Sequence, residues 1–220
     1  MSMFANILRY LFFGLVVRPV VMIVLGLNVR NRYRLVKNGP AIVIANHNSH
    51  LDTMVLMTLL PFRLLHKIHP VAAADYFLRN RVLAWFALSI IGIIPLQRSV
   101  KASHSDPLAG ATAALDRGDI LILFPEGSRG EPEKMSELKN GVSHLAKRHP
   151  DVPVIPIYLH GLGKALPKGE ALLVPFFCDV FVGETLFWKG NRQRYIETLT
   201  SRFEELDAEC CHSDEWDNDE

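Results

Sequence analysis

The chain has 220 residues, 49% of them hydrophobic and 21% charged, which is enough to bury a full core and excludes an intrinsically disordered protein. Its 24 Lys and Arg against 23 Asp and Glu give a net charge of +1, which argues against a dedicated nucleic-acid binder. Six basic and no acidic residues precede Asp52, whereas nine acidic and no basic residues follow Arg202. This asymmetry predicts a membrane or polyanion contact near the N-terminus.

The first stretch, residues 4–29, is nearly all apolar, but Arg9 and the step from Arg18 to Pro19 divide it into short pieces. A transmembrane helix needs about 20 consecutive apolar residues, so these pieces predict interfacial or re-entrant insertion. The basic residues nearby favour anionic lipid at a cytoplasmic face. We therefore expect residues 1–35 to be a peripheral or monotopic membrane segment. A pair of buried core helices is an alternative, and a secretory signal peptide is disfavoured because VLGLNVRNRYR is basic where a cleavage site would be.

Beyond residue 40, Val- and Ile-rich runs alternate with helix-like segments, which predicts an α/β fold with a mostly parallel, mixed sheet flanked by helices. One domain over residues 36–209 is expected, followed by a disordered acidic tail at 210–220. The strand candidates are 41–45, 68–74, 91–96, 120–124 and 154–160, with one or two more within 171–184. The helix candidates are 50–60, 75–90, a segment bounded by Ser105-Asp106-Pro107 and Gly118, 136–148 and 191–209.

The three cysteines, Cys178, Cys210 and Cys211, lack the paired spacing of a disulfide framework, which favours a reducing compartment. Cys210 and Cys211 could ligate a metal with His212, but adjacent thiols without a second pair are more often ordinary tail residues.

The first chemical motif is NHNSHLD, residues 46–52, between the AIVIA strand and a helix. Ligands of α/β sheets bind at the carboxyl ends of strands, so polar side chains are well placed there. Asp52 can accept a hydrogen bond from one nitrogen of His47, which leaves the other nitrogen as a base. A purely structural His-Asp pair is the alternative, and a metal site formed by His47, His50 and Asp52 is less favoured.

Two further strands end in polar residues of the same kind. ILILFPEGSRG (120–130) places Glu126, Gly127, Ser128 and Arg129 at the same end of the sheet as His47, and IGIIPLQR (91–98) adds Arg98. Exposed amides and two guanidinium groups can bind a phosphate. The segment around Ser128 is close to the G-x-S-x-G elbow of serine hydrolases, but a glutamate replaces the first glycine. A phosphate-bearing substrate with a hydroxyl to be activated is the favoured interpretation.

Taken together, these segments resemble the glycerolipid acyltransferases of the lysophosphatidate acyltransferase type. NHNSHLD, GIIPLQR, FPEGSRG and VPVIPIYLHG (152–161) resemble the four sequence blocks of that family in the right order. The resemblance implies transfer of a fatty acyl group from acyl-CoA or acyl carrier protein to the free hydroxyl of 1-acylglycerol 3-phosphate, which gives phosphatidate. It implies an acyltransferase domain over residues 36–209, a lyso-phospholipid acceptor at a membrane surface, and neither a metal nor a redox cofactor.

Carried over residue by residue, the resemblance makes His47 the general base and Asp52 its orienting group. It assigns substrate binding to the other polar residues of the blocks, which are Asn46, Arg98, Glu126, Gly127, Ser128 and Arg129. The fourth block would help to shape a substrate pocket.

The chain departs from the family pattern in two places. Many members carry a lysine between the first two blocks, where this chain has VAAADYFLRN, so acceptor binding would depend on Arg98, Arg129 or Lys101. Ser128 and Gly130 stand where threonine and serine are more usual, which is a mild change. The alternatives are a different acceptor, such as a lyso-ornithine lipid or glycerol phosphate, a serine esterase using Ser128, and a noncatalytic membrane-binding protein.

Overall fold

The computed structural model describes residues 3–23, 25–49, 51–77, 80–96, 106–128, 135–165 and 176–217. Seven strands form one sheet in the order β1-β7-β6-β2-β5-β3-β4. Their bounds are β1 Leu25–Arg30, β2 Ala41–Ala45, β3 Ile68–Ala73, β4 Ile94–Leu96, β5 Ile120–Leu123, β6 Val154–His160 and β7 Phe176–Val182. All strand candidates from the sequence are present, although that at 91–96 is shorter because a helical segment runs to Ile91 and Gly92 ends it with a φ of 75°.

The sheet is mixed and mostly parallel, as the sequence predicts. Strands β2 to β6 are parallel, β7 runs antiparallel to β6, and β1 pairs in parallel with β7. Alternate residues of β2 face opposite sides, so Val43 belongs to one hydrophobic core and Ile44 to the other. The sheet therefore has two covered faces, as expected for parallel strands.

Nine helices lie among the described residues. They are α1 Met3–Phe12, α2 Arg18–Ile23, α3 Leu51–Leu59, α4 Ala74–Phe77, α5 Arg81–Trp85, α6 Ala109–Asp116, α7 Gly141–Arg148, α8 Leu162–Ala165 and α9 Arg192–Asp217. Wider π-helical segments at Phe13–Val17 and Phe86–Ile91 continue α1 and α5, and 3-10 turns lie at Arg32–Arg34 and Phe62–Lys67. The helix expected at 136–148 begins only at Gly141, which leaves 135–140 as an irregular segment.

The N-terminal helix runs without a break from Met3 to Ile23, whereas the sequence suggested two short pieces. A π-helical segment lies just before Pro19. Proline has no backbone N–H, so the regular hydrogen-bond ladder of an α-helix is interrupted there. By length and composition this helix could cross a membrane. Every fourth residue is buried, in the stripe Ala5, Arg9, Phe13, Val17 and Val21. Its exposed positions are all apolar, namely Met3, Phe4, Ile7, Leu11, Leu15, Val16, Met22 and Ile23.

Two boundaries from the sequence need correction. Residues 25–30 were expected to lie in a separate N-terminal segment, but they form β1 and pair with β7. The acidic tail from residue 210 was expected to be disordered, but α9 continues to Asp217. The stripe that buries Phe203 and Leu206 extends to Cys210, so core packing carries the helix into the acidic stretch.

Candidate active site

The loop that joins β2 to α3 is organised around one buried carboxylate. Oδ2 of Asp52 accepts a hydrogen bond from Nδ1 of His47 at 2.9 Å. The same oxygen accepts from the backbone N–H groups of Asn48 at 2.7 Å and Ser49 at 2.8 Å. Asp52 has no exposed surface and lies in the first turn of α3, where the helix dipole favours a negative charge.

The imidazole of His47 is held on two sides. Its Nδ1 faces Asp52, and its ring stacks on Phe124 with ring centroids 4.0 Å apart and planes inclined by 20°. No hydrogen bond joins Nε2 to any residue within the described ranges, and the side chain keeps 19% of its surface exposed. A base whose second nitrogen is oriented by a carboxylate, with Nε2 open to a ligand, can take a proton from a substrate hydroxyl.

The side chains of Glu126 and Asn46, both expected to bind substrate, are hydrogen-bonded to the backbone of other elements. Oε1 of Glu126 accepts from the backbone N–H of His47 at 2.7 Å, and Oε2 accepts from that of Ser136 at 3.0 Å. Asn46 makes two hydrogen bonds with the backbone of Leu159 in β6, at 2.8 Å and 2.7 Å. These contacts tie the first block to the third block and to β6, which belongs to the fourth block.

The third block turns sharply at Gly127, whose φ of +72° favours glycine. A Cβ here would lie 2.7 Å from Nζ of Lys139, so the lysine side chain lies directly against the turn. Lys139 is exposed and no ion pair joins it to any described residue. The sequence did not point to this cation, because Lys139 was expected to lie within a helix. In the structure that helix begins two residues after Lys139. Phe124 was also missed as a partner of His47, although its place immediately before Pro125 and Glu126 was a signal.

Three of the residues expected to bind the acceptor lie outside the described residues, namely Arg98, Lys101 and Arg129. Gly130 of the third block and His50 of the metal alternative lie outside them as well. Ser128 is exposed and has no hydrogen bond to His47. Among the described residues, no group of three or more His, Cys, Asp or Glu side chains could hold a metal ion.

Cys178 lies in β7, buried on the side of the sheet that carries α3. Burial raises the pKa of the Cys178 thiol to about 12, and the carboxylates of Asp179 and Asp52 add to the rise. Such a thiol stays protonated at neutral pH and is a poor nucleophile. Among the described residues of the site, His47 and Asp52 have the geometry of a base and its orienting group.

Comparison with known proteins identifies the region that contains the site. The sequence model of the family described as "Acyltransferase" matches residues 26–160. A chloroplastic 1-acyl-sn-glycerol-3-phosphate acyltransferase of Brassica napus is 32% identical over 131 residues, which cover 60% of this chain and 36% of the relative. The alpha form of the enzyme of that name from Homo sapiens is 27% identical over 79% of this chain and 59% of its own length. The chain thus spans about a third to three fifths of the length of these relatives.

The fold also matches a solved structure. The crystal structure of the 1-acyl-sn-glycerophosphate acyltransferase PlsC from Thermotoga maritima superposes with a TM-score of 0.66 at 22% identity, covering 92% of this chain and 79% of that one. At this identity the match bears on the fold, and it agrees with the seven-stranded sheet described above.

Proposed function

The chain belongs to the acyltransferase family, and we propose that it transfers a fatty acyl group from acyl-CoA or acyl carrier protein to the free hydroxyl of 1-acylglycerol 3-phosphate. The product is phosphatidate. The observation that carries the proposal is the 2.9 Å hydrogen bond between His47 Nδ1 and Asp52 Oδ2, with Nε2 unoccupied by any described residue. The similarity to 1-acyl-sn-glycerol-3-phosphate acyltransferases supports the choice of acceptor.

In the proposed reaction, Nε2 of His47 removes the proton from the acceptor hydroxyl as its oxygen bonds to the thioester carbonyl carbon. The carbon–sulfur bond then breaks, and the departing thiolate takes the proton back from the imidazolium. Asp52 holds the imidazole in the correct tautomer and stabilises its cationic form. No acyl-enzyme is needed, which agrees with the high pKa of about 12 for Cys178.

The phosphate of the acceptor is negatively charged, so we expect cationic side chains near the third block to bind it. Arg98 and Arg129 are the residues that the family resemblance assigns, and we propose that Lys139 joins them because its side chain lies against Gly127. Gly127 and Ser128 would then contact the acceptor through their backbone and hydroxyl groups.

We also propose that the protein is a peripheral or monotopic protein of the cytoplasmic membrane face. The apolar exposed positions of the helix Met3–Ile23 support lipid contact, because a helix side facing water would carry polar residues there. The exposed acidic residues of α9 belong to the opposite face of the sheet, where they would point away from anionic lipid.

The test is an assay of the purified full-length chain with a panel of acceptors and donors, analysed by lipid mass spectrometry. The panel contains 1-acylglycerol 3-phosphate, a lyso-ornithine lipid, glycerol phosphate and a phosphate-free monoacylglycerol, each offered with acyl-CoA and with acyl carrier protein. Phosphatidate formed faster than every other product is the expected result. Preferred acylation of another acceptor, or hydrolysis of the thioester without transfer, would contradict the proposal.

A further inference from the structure

A second apolar helix lies beside the N-terminal helix. Helix α5 and the π-helical segment that continues it span Arg81–Ile91, and Phe86 in this segment packs edge-to-face on Phe12 of α1, with ring centroids 5.3 Å apart. Arg9 lies against Gly92, directly after the segment. The two helices are therefore neighbours on one face of the sheet.

The outward side of this second helix has the composition of a lipid-facing surface. Val82, Leu83, Trp85 and Leu88 are all exposed, Val82 by 74% and Trp85 by 50%. Arg81, at the start of the helix, is its single exposed charged residue, and there is no acidic residue from 81 to 91. A helix facing water usually carries charged residues on this side, whereas an arginine and a tryptophan near the end of an apolar helix are typical of a membrane interface.

The two helices also run in opposite directions. Ile68, the first residue of β3, accepts a hydrogen bond from Arg9, so the start of the N-terminal helix lies at the amino ends of the parallel strands. Its end leads into β1, which begins opposite Phe176, toward the carboxyl ends. Helix α5 follows β3 and runs back to Gly92. It therefore connects the carboxyl ends of the strands to their amino ends. The exposed apolar side chains of both helices consequently extend from one edge of the sheet to the edge that carries His47.

We infer that Arg81–Ile91 is a second membrane-contacting element, and that it forms one lipid-facing surface with Met3–Ile23. The occupant is a bilayer rather than a second copy of the chain. The surface is apolar and lacks acidic residues, and the acidic helix α9 covers the opposite face of the sheet, which is the charge arrangement that an anionic bilayer would orient. The inference rests on the membrane association proposed above and names the part of the surface that the sequence did not reveal.

The first test uses Trp85 as a depth probe. Replacing Trp188 and Trp216 by Phe leaves Trp85 as the reporter, and a matched protein with Trp85→Phe and Trp216→Phe keeps Trp188, which packs on the other face against Tyr195. Both are mixed with vesicles of phosphatidylcholine and phosphatidylglycerol that carry brominated acyl chains. We expect blue-shifted and strongly quenched emission from Trp85 and unchanged emission from Trp188.

The second test introduces a charge on the surface. Val82→Glu and Leu88→Glu should each reduce partition into the same vesicles by about tenfold, because a carboxylate at an apolar membrane contact is costly. Phe187→Glu is the matched control, since Phe187 is 46% exposed and its neighbours Leu186 and Trp188 pack on the other face. Leu15→Glu probes the N-terminal helix separately. Melting temperatures of all variants verify that the fold is intact.

These measurements need no turnover, so they separate the inference from the proposed activity. If Leu15→Glu weakens vesicle binding while Val82→Glu and Leu88→Glu do not, and Trp85 is not quenched, only the N-terminal helix contacts lipid and the inference is wrong. If none of the variants changes binding, the membrane association itself is wrong. If Val82→Glu instead converts a dimer to a monomer without affecting vesicles, the surface joins two copies and the inference also fails.

Discussion

The loop after β2 and the helix before β1 differ in the side chains that they expose. The loop is built from polar residues, and the helix is built mostly from apolar ones. In the loop, the side chains of Asn46 and the adjoining Glu126 and one oxygen of Asp52 are hydrogen-bonded to the backbone. Nε2 of His47 and Oδ1 of Asp52 have no hydrogen-bond partner among the described residues. In the helix, one side is buried in the core through Phe13, Val17 and Val21, and the exposed positions are all apolar. A polar motif therefore does not imply that each of its residues touches substrate. Likewise, one apolar helix can pack into the core on one side and expose an apolar surface on the other.

The largest expected effect is at the open nitrogen of the loop. His47→Ala should lower kcat for acyl transfer by about 10²- to 10⁴-fold, because a general base is lost. The fold should persist, since Asp52 keeps its two backbone donors. Steady-state kinetics and the melting temperature measure the two effects.

Ser128→Ala is the control for that experiment. It should keep most of the activity because Ser128 has no hydrogen bond to His47 and the proposed reaction needs no serine nucleophile. Turnover that survives His47→Ala but disappears with Ser128→Ala would favour the esterase alternative.

The buried side and the exposed side of the N-terminal helix can be tested separately by two substitutions that are only two residues apart. Phe13→Ala should lower the free energy of unfolding by about 3–5 kcal/mol, since Phe13 is 1% exposed and belongs to the core. Leu15→Glu should leave unfolding nearly unchanged but weaken binding to membranes, since Leu15 is 72% exposed. Chemical denaturation and vesicle sedimentation provide the measurements. Equal stability losses in the two variants would show that the helix is an ordinary core helix.

This pair of substitutions is a sharper test of the membrane anchor than deletion of residues 1–27. Such a deletion would also remove Phe13, Val17, Val21 and Leu25 from the core, and it would take away the first part of β1. Loss of membrane binding in a truncated protein could then follow from unfolding.

The cations of the site should act on the acceptor. Arg98→Ala and Arg129→Ala should each raise the acceptor KM, by about 10- to 100-fold, because a charge-assisted hydrogen bond contributes about 1.5–3 kcal/mol. The KM of the acyl donor should change much less. Lys139→Met should act in the same direction but more weakly, since its side chain is exposed. An equal effect on a phosphate-free acceptor would indicate that these residues have another task.

Glu126 should differ from the cations in its kinetic signature. Glu126→Gln keeps one acceptor oxygen but directs an NH₂ group toward one of the two backbone donors, so His47 N–H or Ser136 N–H loses its partner. We expect kcat to fall by about tenfold with little change in the acceptor KM, because the position of His47 is disturbed. A rise in acceptor KM at constant kcat would instead support the substrate-binding role that the family resemblance gave it.

Much of the fold could be predicted from the sequence, because the buried strands are continuous Val- and Ile-rich runs, and the polar residues that follow them directly could be named as site candidates. The partners of these residues could not. The contacts of Glu126 with His47 and of Asn46 with Leu159 join residues that are 79 and 113 positions apart, which only the sheet order determines. β1 was missed for a different reason, since a short strand within a long apolar stretch has no boundary that hydrophobicity can reveal.

The smallest predicted effect concerns His69, a second histidine, which lies at the opposite edge of the sheet, where the N-terminal helix docks. Burial lowers the pKa of His69 below its ordinary value of 6.5, although Asp119 lies 3.7 Å from Nε2 and a hydrogen bond to the Gly92 carbonyl opposes the shift. Below pH 6.5 the unfolded chain therefore binds a proton that the folded chain does not, so the contribution of His69 to stability is fully present above pH 6.5 and decreases as the pH falls toward the folded pKa. We expect the melting temperature to drop between pH 7.5 and 5.5, and His69→Gln should reduce that drop, whereas His144→Gln, at an exposed position of α7, should not. An identical drop in melting temperature in the wild type and in His69→Gln would mean that the acid sensitivity comes from other groups.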